Sequence, residues 1–145
     1  MGVKYHEEGF TGTLAKELAL ILKKSIIWKV FARSGYTAKN VTNKIVPKIN
    51  VDNTDLIIVG LGGNNAFKLS TPLKWKTDIK ELIEAIRKQY SDTPIVFINM
   101  PPIKVFPAFT GLIRFVLGNL VELLGKELSL TVKQYDKVYY YCRVI

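Results

Sequence analysis

The sequence predicts an α/β domain built on a mostly parallel sheet, and three observations predict it. Apolar residues recur with a period near 3.6 in some segments and run without interruption in others, and the two kinds alternate along the chain. The uninterrupted runs Leu56-Ile57-Ile58-Val59 and Ile95-Val96-Phe97-Ile98-Asn99 are short, as expected of parallel strands buried on both faces. Prolines at 47, 72, 94 and 101–102 fall at segment borders, where a fixed φ and a missing N–H end one element or start the next.

Each element follows from its own residues. Phe10, Leu14, Leu18, Ile21 and Leu22 share one helical face, which predicts a first helix over 11–24. The β-branched and aromatic run Ser25 to Arg33 reads as a strand. A short helix over 38–46 turns Val41 and Ile45 inward before Pro47, and the strand containing residues 56–59 follows. Thr71 caps the third helix and Pro72 takes its first position, with Ile79, Leu82, Ile83, Ile86 and Tyr90 on one face. A strand over 95–99, a long helix over 107–128 and a tyrosine-rich strand over 137–144 complete an α-β-α-β-α-β-α-β order, with helices expected on both faces of the sheet. The first helix has no strand before it, and the last strand has no helix after it.

At 145 residues the chain is expected to form a single domain over 1–145, and its 48% apolar and 23% charged residues suit a globular core. One histidine, His6, and one cysteine, Cys142, exclude a zinc finger, an iron–sulfur cluster, a disulfide framework and a redox CxxC pair. Neither a metal nor a cofactor is therefore expected. The formal charge of +9 is compatible with nucleic acid, anionic lipid or acidic substrates, but the lysines are dispersed and no aromatic RNA-binding signature occurs, so no nucleic-acid partner is expected. The N-terminal residues lack the apolar stretch of a signal peptide, which predicts a cytoplasmic chain. Phe106 to Leu124 is interrupted by Arg114, Asn119, Glu122 and glycines, which argues against a membrane span.

In open α/β sheets ligands bind beyond the carboxyl ends of the strands, so the loops after each apolar run carry the functional information. Gly60-Leu61-Gly62-Gly63-Asn64-Asn65 lacks the third glycine of a dinucleotide-binding turn, and no helix is expected directly behind it. No Gly-Lys-Ser/Thr occurs, and Ala32-Arg33-Ser34-Gly35-Tyr36 lacks the glycines of a nucleophile elbow. Ser34 reads as a loop hydroxyl.

Taken together, Thr54 to Asn65 and Ser34-Gly35 with Thr37 resemble two conserved blocks of the SGNH (GDSL-type) hydrolases, a family of esterases, lipases and acylesterases on a three-layer, flavodoxin-like sheet. The resemblance covers essentially the whole chain. It implies hydrolysis of carboxylic esters or acylated small molecules through a serine acyl-enzyme. It also implies an oxyanion hole in which the backbone N–H of Gly35 and the side-chain amide of Asn64 are donors, with Asn65 beside them as a substrate-binding residue. Asn65 stands where the family usually has Asp, keeping a hydrogen-bonding side chain and losing a charge.

The family's Gly-Asp-Ser and Asp-x-x-His blocks do not occur in this sequence. Gly2 to Phe10 resembles the family's segment directly after Gly-Asp-Ser, so the resemblance implies an incomplete domain, truncated at both ends, without the usual first and central strand, and inactive or strongly impaired. His6, between a tyrosine and two acidic residues, is expected at the surface. Without a central strand, the strand over 25–33 is expected either to pair directly with the strand over 55–60 or to gain a partner from another chain, as a homodimer or strand swap. Two further functions remain open at this point: a non-catalytic binding or assembly module with a retained cleft, and a basic nucleic-acid or anionic-membrane binder. The apolar stretch with Phe106, Phe109, Phe115 and Leu117 reads either as an acyl-binding surface or as core.

Overall fold

The computed structural model describes residues 9–100, 103–105, 107 and 109–142. His6 and Phe106 lie outside them. The chain divides into two compact units, Met1–Ala32 and Arg33–Ile145, each described by itself.

The first unit contains α1 (Phe10–Leu22), which ends at Lys23 in the left-handed conformation. Only Gly12 and Ala15 of this helix are buried, while Phe10, Ile21 and Leu22 from its expected inward face are exposed. Ile26 and Trp28 line a groove with Gly12, Ala15, Lys16 and Ala19. The expected strand over 25–33 does not form, because residues 25–33 belong to no ladder. Among the described residues the sheet therefore holds three strands where the sequence predicts four. A β-rich sequence remains unassigned to a strand when its backbone groups have no ladder partner.

In the second unit, α2 (Ala38–Lys44) starts at Thr37. There Thr37 and Asn40 form a reciprocal capping box, and a 3-10 turn at Val46–Lys48 absorbs Pro47. Next come β1 (Ile57–Val59), α3 (Gly63–Phe67), α4 (Pro72–Gln89), β2 (Ile95–Ile98), α5 (Gly111–Val132) and β3 (Val138–Tyr141). The three strands form a parallel sheet in the order β1-β2-β3, with Ile57 opposite Ile95 and Ile95 opposite Val138. This is the expected α/β, flavodoxin-like arrangement of parallel strands flanked by helices, without a further central strand among the described residues. Helix α5 begins and ends about a turn later than its periodicity suggests, with Phe109 in a bend and Thr110 at the N-cap position.

The period-two geometry of the strands divides their side chains between two faces. Val59, Ile95, Phe97 and Val138 enter one buried cluster with Ile79, Leu82, Ile83 and Ile86 of α4 and Val121, Leu124, Leu128 and Val132 of α5. On the other face Ile58, Tyr139 and Tyr141 are exposed. At the edge strand β1, Ile58 is exposed while Val59 is buried, which corrects the expectation that this run is buried on both faces.

Trp75 fixes how α4 meets α5. Its ring is fully buried and its indole N–H donates to the carbonyl of Leu124 at 3.0 Å. Arg87, at the end of the same helix, donates to the carbonyls of Tyr90, Thr93, Asp136 and Lys137, joining the approaches to β2 and β3. We expect Trp75→Ala to destabilise the chain by about 3–5 kcal/mol through cavity formation. Trp75→Phe, which loses the indole donor, should cost about 1–3 kcal/mol. Urea denaturation would measure both, and an unchanged midpoint for Trp75→Ala would contradict the packing described.

Candidate functional site

The carboxyl end of the sheet is built from three loops. The loop before α2 contains Ser34 and Gly35, with Gly35 at φ +79°, a left-handed turn position that favours glycine. No heavy atom lies within 4 Å of a Cβ built on Gly35, so backbone conformation rather than space selects glycine there. Tyr36 follows, with the guanidinium of Arg33 5.8 Å and the ammonium of Lys44 5.6 Å from its ring centroid. Two cations thus border this loop.

The second loop leaves β1 through Gly60 and turns at Gly62, whose φ is +119°. A Cβ at Gly62 would lie 2.1 Å from the sulfur of Met100, so both backbone and packing require glycine. Helix α3 begins at the next residue. This corrects the expectation that no helix stands behind the glycine loop. Five residues containing Gly-Asn-Asn carry no amphipathic repeat, so periodicity could not reveal the helix; the small and amide residues around its start were the available signal.

Asn64 and Asn65 bind consecutive parts of the first loop. The Asn64 amide donates to the carbonyl of Tyr36 at 2.9 Å, while Asn65 Oδ1 accepts the backbone N–H of Ala38 at 3.1 Å. Asn64 is half-buried and has a second amide hydrogen beyond the one given to Tyr36. Among the described residues, no backbone hydrogen bond from the N–H of Gly35 is found. Asn65 is 1% exposed, and its amide nitrogen donates to Ser70 Oγ at 3.4 Å. The structure therefore brings Gly35 and Asn64 to one loop pair and places Asn65 inside the protein.

The third loop follows β2. Asn99 Oδ1 accepts the hydroxyl of Tyr140 at 2.9 Å, with the Cys142 thiol 4.0 Å away. Burial, reinforced by the charge and hydrogen bond of Cys142, pushes the Tyr140 phenol up to about 12. Sequence reasoning noted Asn99 as a loop residue but missed this pairing, which joins positions 41 residues apart. Of the apolar stretch, Leu117 is core, Phe109 is half-buried with its ring 5.7 Å from that of Phe67, and Phe115 is 66% exposed.

The family model of the GDSL-like Lipase/Acylhydrolase family matches residues 1–137. The chain belongs to that family. No curated protein and no solved structure matches it. As a GDSL-like hydrolase domain it has the α/β fold expected from the resemblance, and the glycine and asparagine blocks behind that resemblance are the two loops joined by Asn64. Among the described residues of this GDSL-like domain, no group of three or more His, Cys, Asp and Glu could hold a metal, and no helix is long and apolar enough to cross a membrane.

Asn65→Ala removes the acceptor of a buried backbone N–H, so we expect about 1–3 kcal/mol of destabilisation, together with amide shifts at Gly35 to Ala38 in NMR spectra. A raised phenol pKa means that the folded state prefers neutral Tyr140. Its contribution to stability is complete below the unfolded value near 10 and declines as pH rises toward about 12. Burial and the Glu84 carboxylate also push the Tyr135 phenol up, so ultraviolet titration should show late-ionising phenolate from which a component is lost in Tyr140→Phe; an unchanged titration would contradict the assignment.

Proposed function

We propose that this domain binds carboxylic esters at the carboxyl end of its sheet, with Gly35 and Asn64 as oxyanion donors, and that the chain itself is inactive or strongly impaired as an esterase. The observation carrying the reading is the 2.9 Å hydrogen bond from Asn64 to Tyr36, which holds the side-chain amide beside the Gly35 turn. An ester carbonyl attacked by a serine becomes an alkoxide, and each preorganised donor aimed at it is worth on the order of 10²–10³ in rate. An amide donates without titrating, and Arg33 and Lys44 add positive potential near the loop. Asn65 acts as a positioning residue, holding the start of α2 so that the Gly35 turn faces Asn64.

The expected impairment follows from residue content. No Gly-Asp-Ser nucleophile and no Asp-x-x-His base occur in the sequence. A hydrolase reduced to its oxyanion hole and binding surface retains only about 10³–10⁴ over water. Phe109 and Phe115 are the members of the apolar stretch available to an acyl chain, whereas Leu117 belongs to the core.

A second reading, an assembly module joined through its sheet, is favoured by the edge of β1, where Leu56 and Ile58 are exposed. Concentration-dependent dimerisation that is lost in Ile58→Lys would support it.

The principal reading is tested with the chain as it stands. Titration with butyrate, the carboxylate product of a short ester, should shift the backbone resonance of Gly35 and the side-chain amide of Asn64, and Asn64→Ala should abolish the response. Absence of shifts at both positions would exclude the oxyanion assignment. A fluorophosphonate should label no serine; covalent labelling would overturn the expected impairment.

A further inference from the structure

The first two turns of α5 have their polarity reversed. Leu112, Ile113, Phe115 and Val116 are exposed on the outward side, whereas Arg114 shares the inward side with Leu117, Gly118 and Val121. Side chains on a helix lean toward its start, and the Arg114 guanidinium reaches back to donate from Nη2 to the carbonyl of Phe109 at 2.9 Å. Its Nε is buried without a hydrogen-bond partner. A guanidinium carries five N–H donors, so most of this one is unspent. Arg87 makes the contrast, serving the carbonyls of Tyr90, Thr93, Asp136 and Lys137.

The charge is as unspent as the donors. Residues 56–77 and 93–121 contain no acidic residue. Lys104 is paired with Glu122, but Arg114 forms no salt bridge among the described residues. Drawing a guanidinium partly out of water without an anion is unfavourable, and the lower dielectric strengthens its attraction for one that arrives. Nε is closed to a ligand by burial, which leaves the terminal nitrogens of this half-buried side chain to meet it. Two coplanar N–H donors fit a carboxylate. The group also stands at the right end of the sheet. Helix α5 follows β2 and starts at the carboxyl end, where the Asn64 loop leaves β1. The ring of Phe109, whose carbonyl holds Arg114, lies 5.7 Å from that of Phe67, and Phe67 stands one turn after Asn64 on α3. An apolar step with Phe67 half-exposed thus connects the amide to the guanidinium.

We propose that Arg114 binds a second carboxylate on the ester, so that the substrate class is monoesters of aliphatic dicarboxylic acids. The ester carbonyl sits at Gly35 and Asn64, the carbon chain runs along Phe67, and the free carboxylate meets the terminal nitrogens of Arg114. This rests on the ester-binding reading and deepens it by naming what the acyl group carries.

The test titrates the full chain with succinate, adipate and suberate, each beside the monocarboxylate of equal carbon number, butyrate, hexanoate and octanoate, while NMR follows the amide and arginine Nε–H resonances. The best diacid should half-saturate the Gly35 and Asn64 shifts at about one-tenth the concentration of its monoacid, and should also shift the Arg114 Nε–H resonance, which the monoacids leave in place. Raised salt should erode that advantage. Arg114→Gln should abolish it while the butyrate response at Gly35 and Asn64 stays unchanged; a purely structural arginine would alter the response to both acids alike. If that variant does not fold, Arg114→Lys, which keeps the charge and loses the paired donors, should cut the advantage about threefold or more. Equal affinity for diacid and monoacid at every length, or an advantage undiminished in a folded variant, would overturn the proposal. So would inorganic phosphate that shifts the Arg114 Nε–H at a lower concentration than any diacid. Butyrate shifts without a diacid advantage would leave ester binding standing alone, whereas no shift at Gly35 and Asn64 with any acid would remove both.

Discussion

Two consecutive side-chain amides hold the candidate site together. Asn64 and Asn65 lie at the start of a short helix and face different directions, one toward the carbonyl of Tyr36 and the other toward the N–H of Ala38. One pair of residues thereby fixes two points of the same loop, with Thr37 between them capping α2. The buried member is the stronger constraint, because losing it strands a backbone donor away from water. Gly35 owes its position to this attachment, since it has no packing neighbour against a Cβ.

The attachment also depends on the strand behind it. Gly62 can turn into α3 only because it has no side chain to meet Met100, which follows β2, and β2 is aligned with β1 through the register of Ile57 with Ile95. Trp75 and Arg87 perform the corresponding task elsewhere, the first joining α4 to α5 and the second collecting the carbonyls before β2 and β3. Polar groups with long sequence separation thus locate elements that the apolar core alone would leave free to slide.

These long-range groups are also what the sequence concealed. Borders of α2, α4 and β2 were readable because Pro47, Thr71, Pro72 and Pro94 act on their immediate neighbours. Gly35 and Asn64 were readable as a pair only through family resemblance, since no spacing rule connects residues on separate loops. Helix α3 was too short for periodicity, and the contacts of Asn65 reach 27 residues back along the chain. The segment 25–33 failed for a different reason: its composition favours a strand, but composition supplies no neighbouring backbone, and strand formation is a property of pairs. Likewise, the pattern of α5 identified a helix without revealing that its outward side is apolar at one end.

The adjacent glycines after β1 show how unevenly this chain can vary. Gly63 has open space around it, so a methyl group there meets nothing. At Gly62 a methyl group would meet both a strained backbone and the Met100 sulfur. Shortening Met100 would relieve the collision but leave the positive φ, so no second change at that methionine fully opens the position to drift. Two identical letters side by side therefore have opposite freedom: one is a passenger of the loop, and the other anchors the inheritance of its shape.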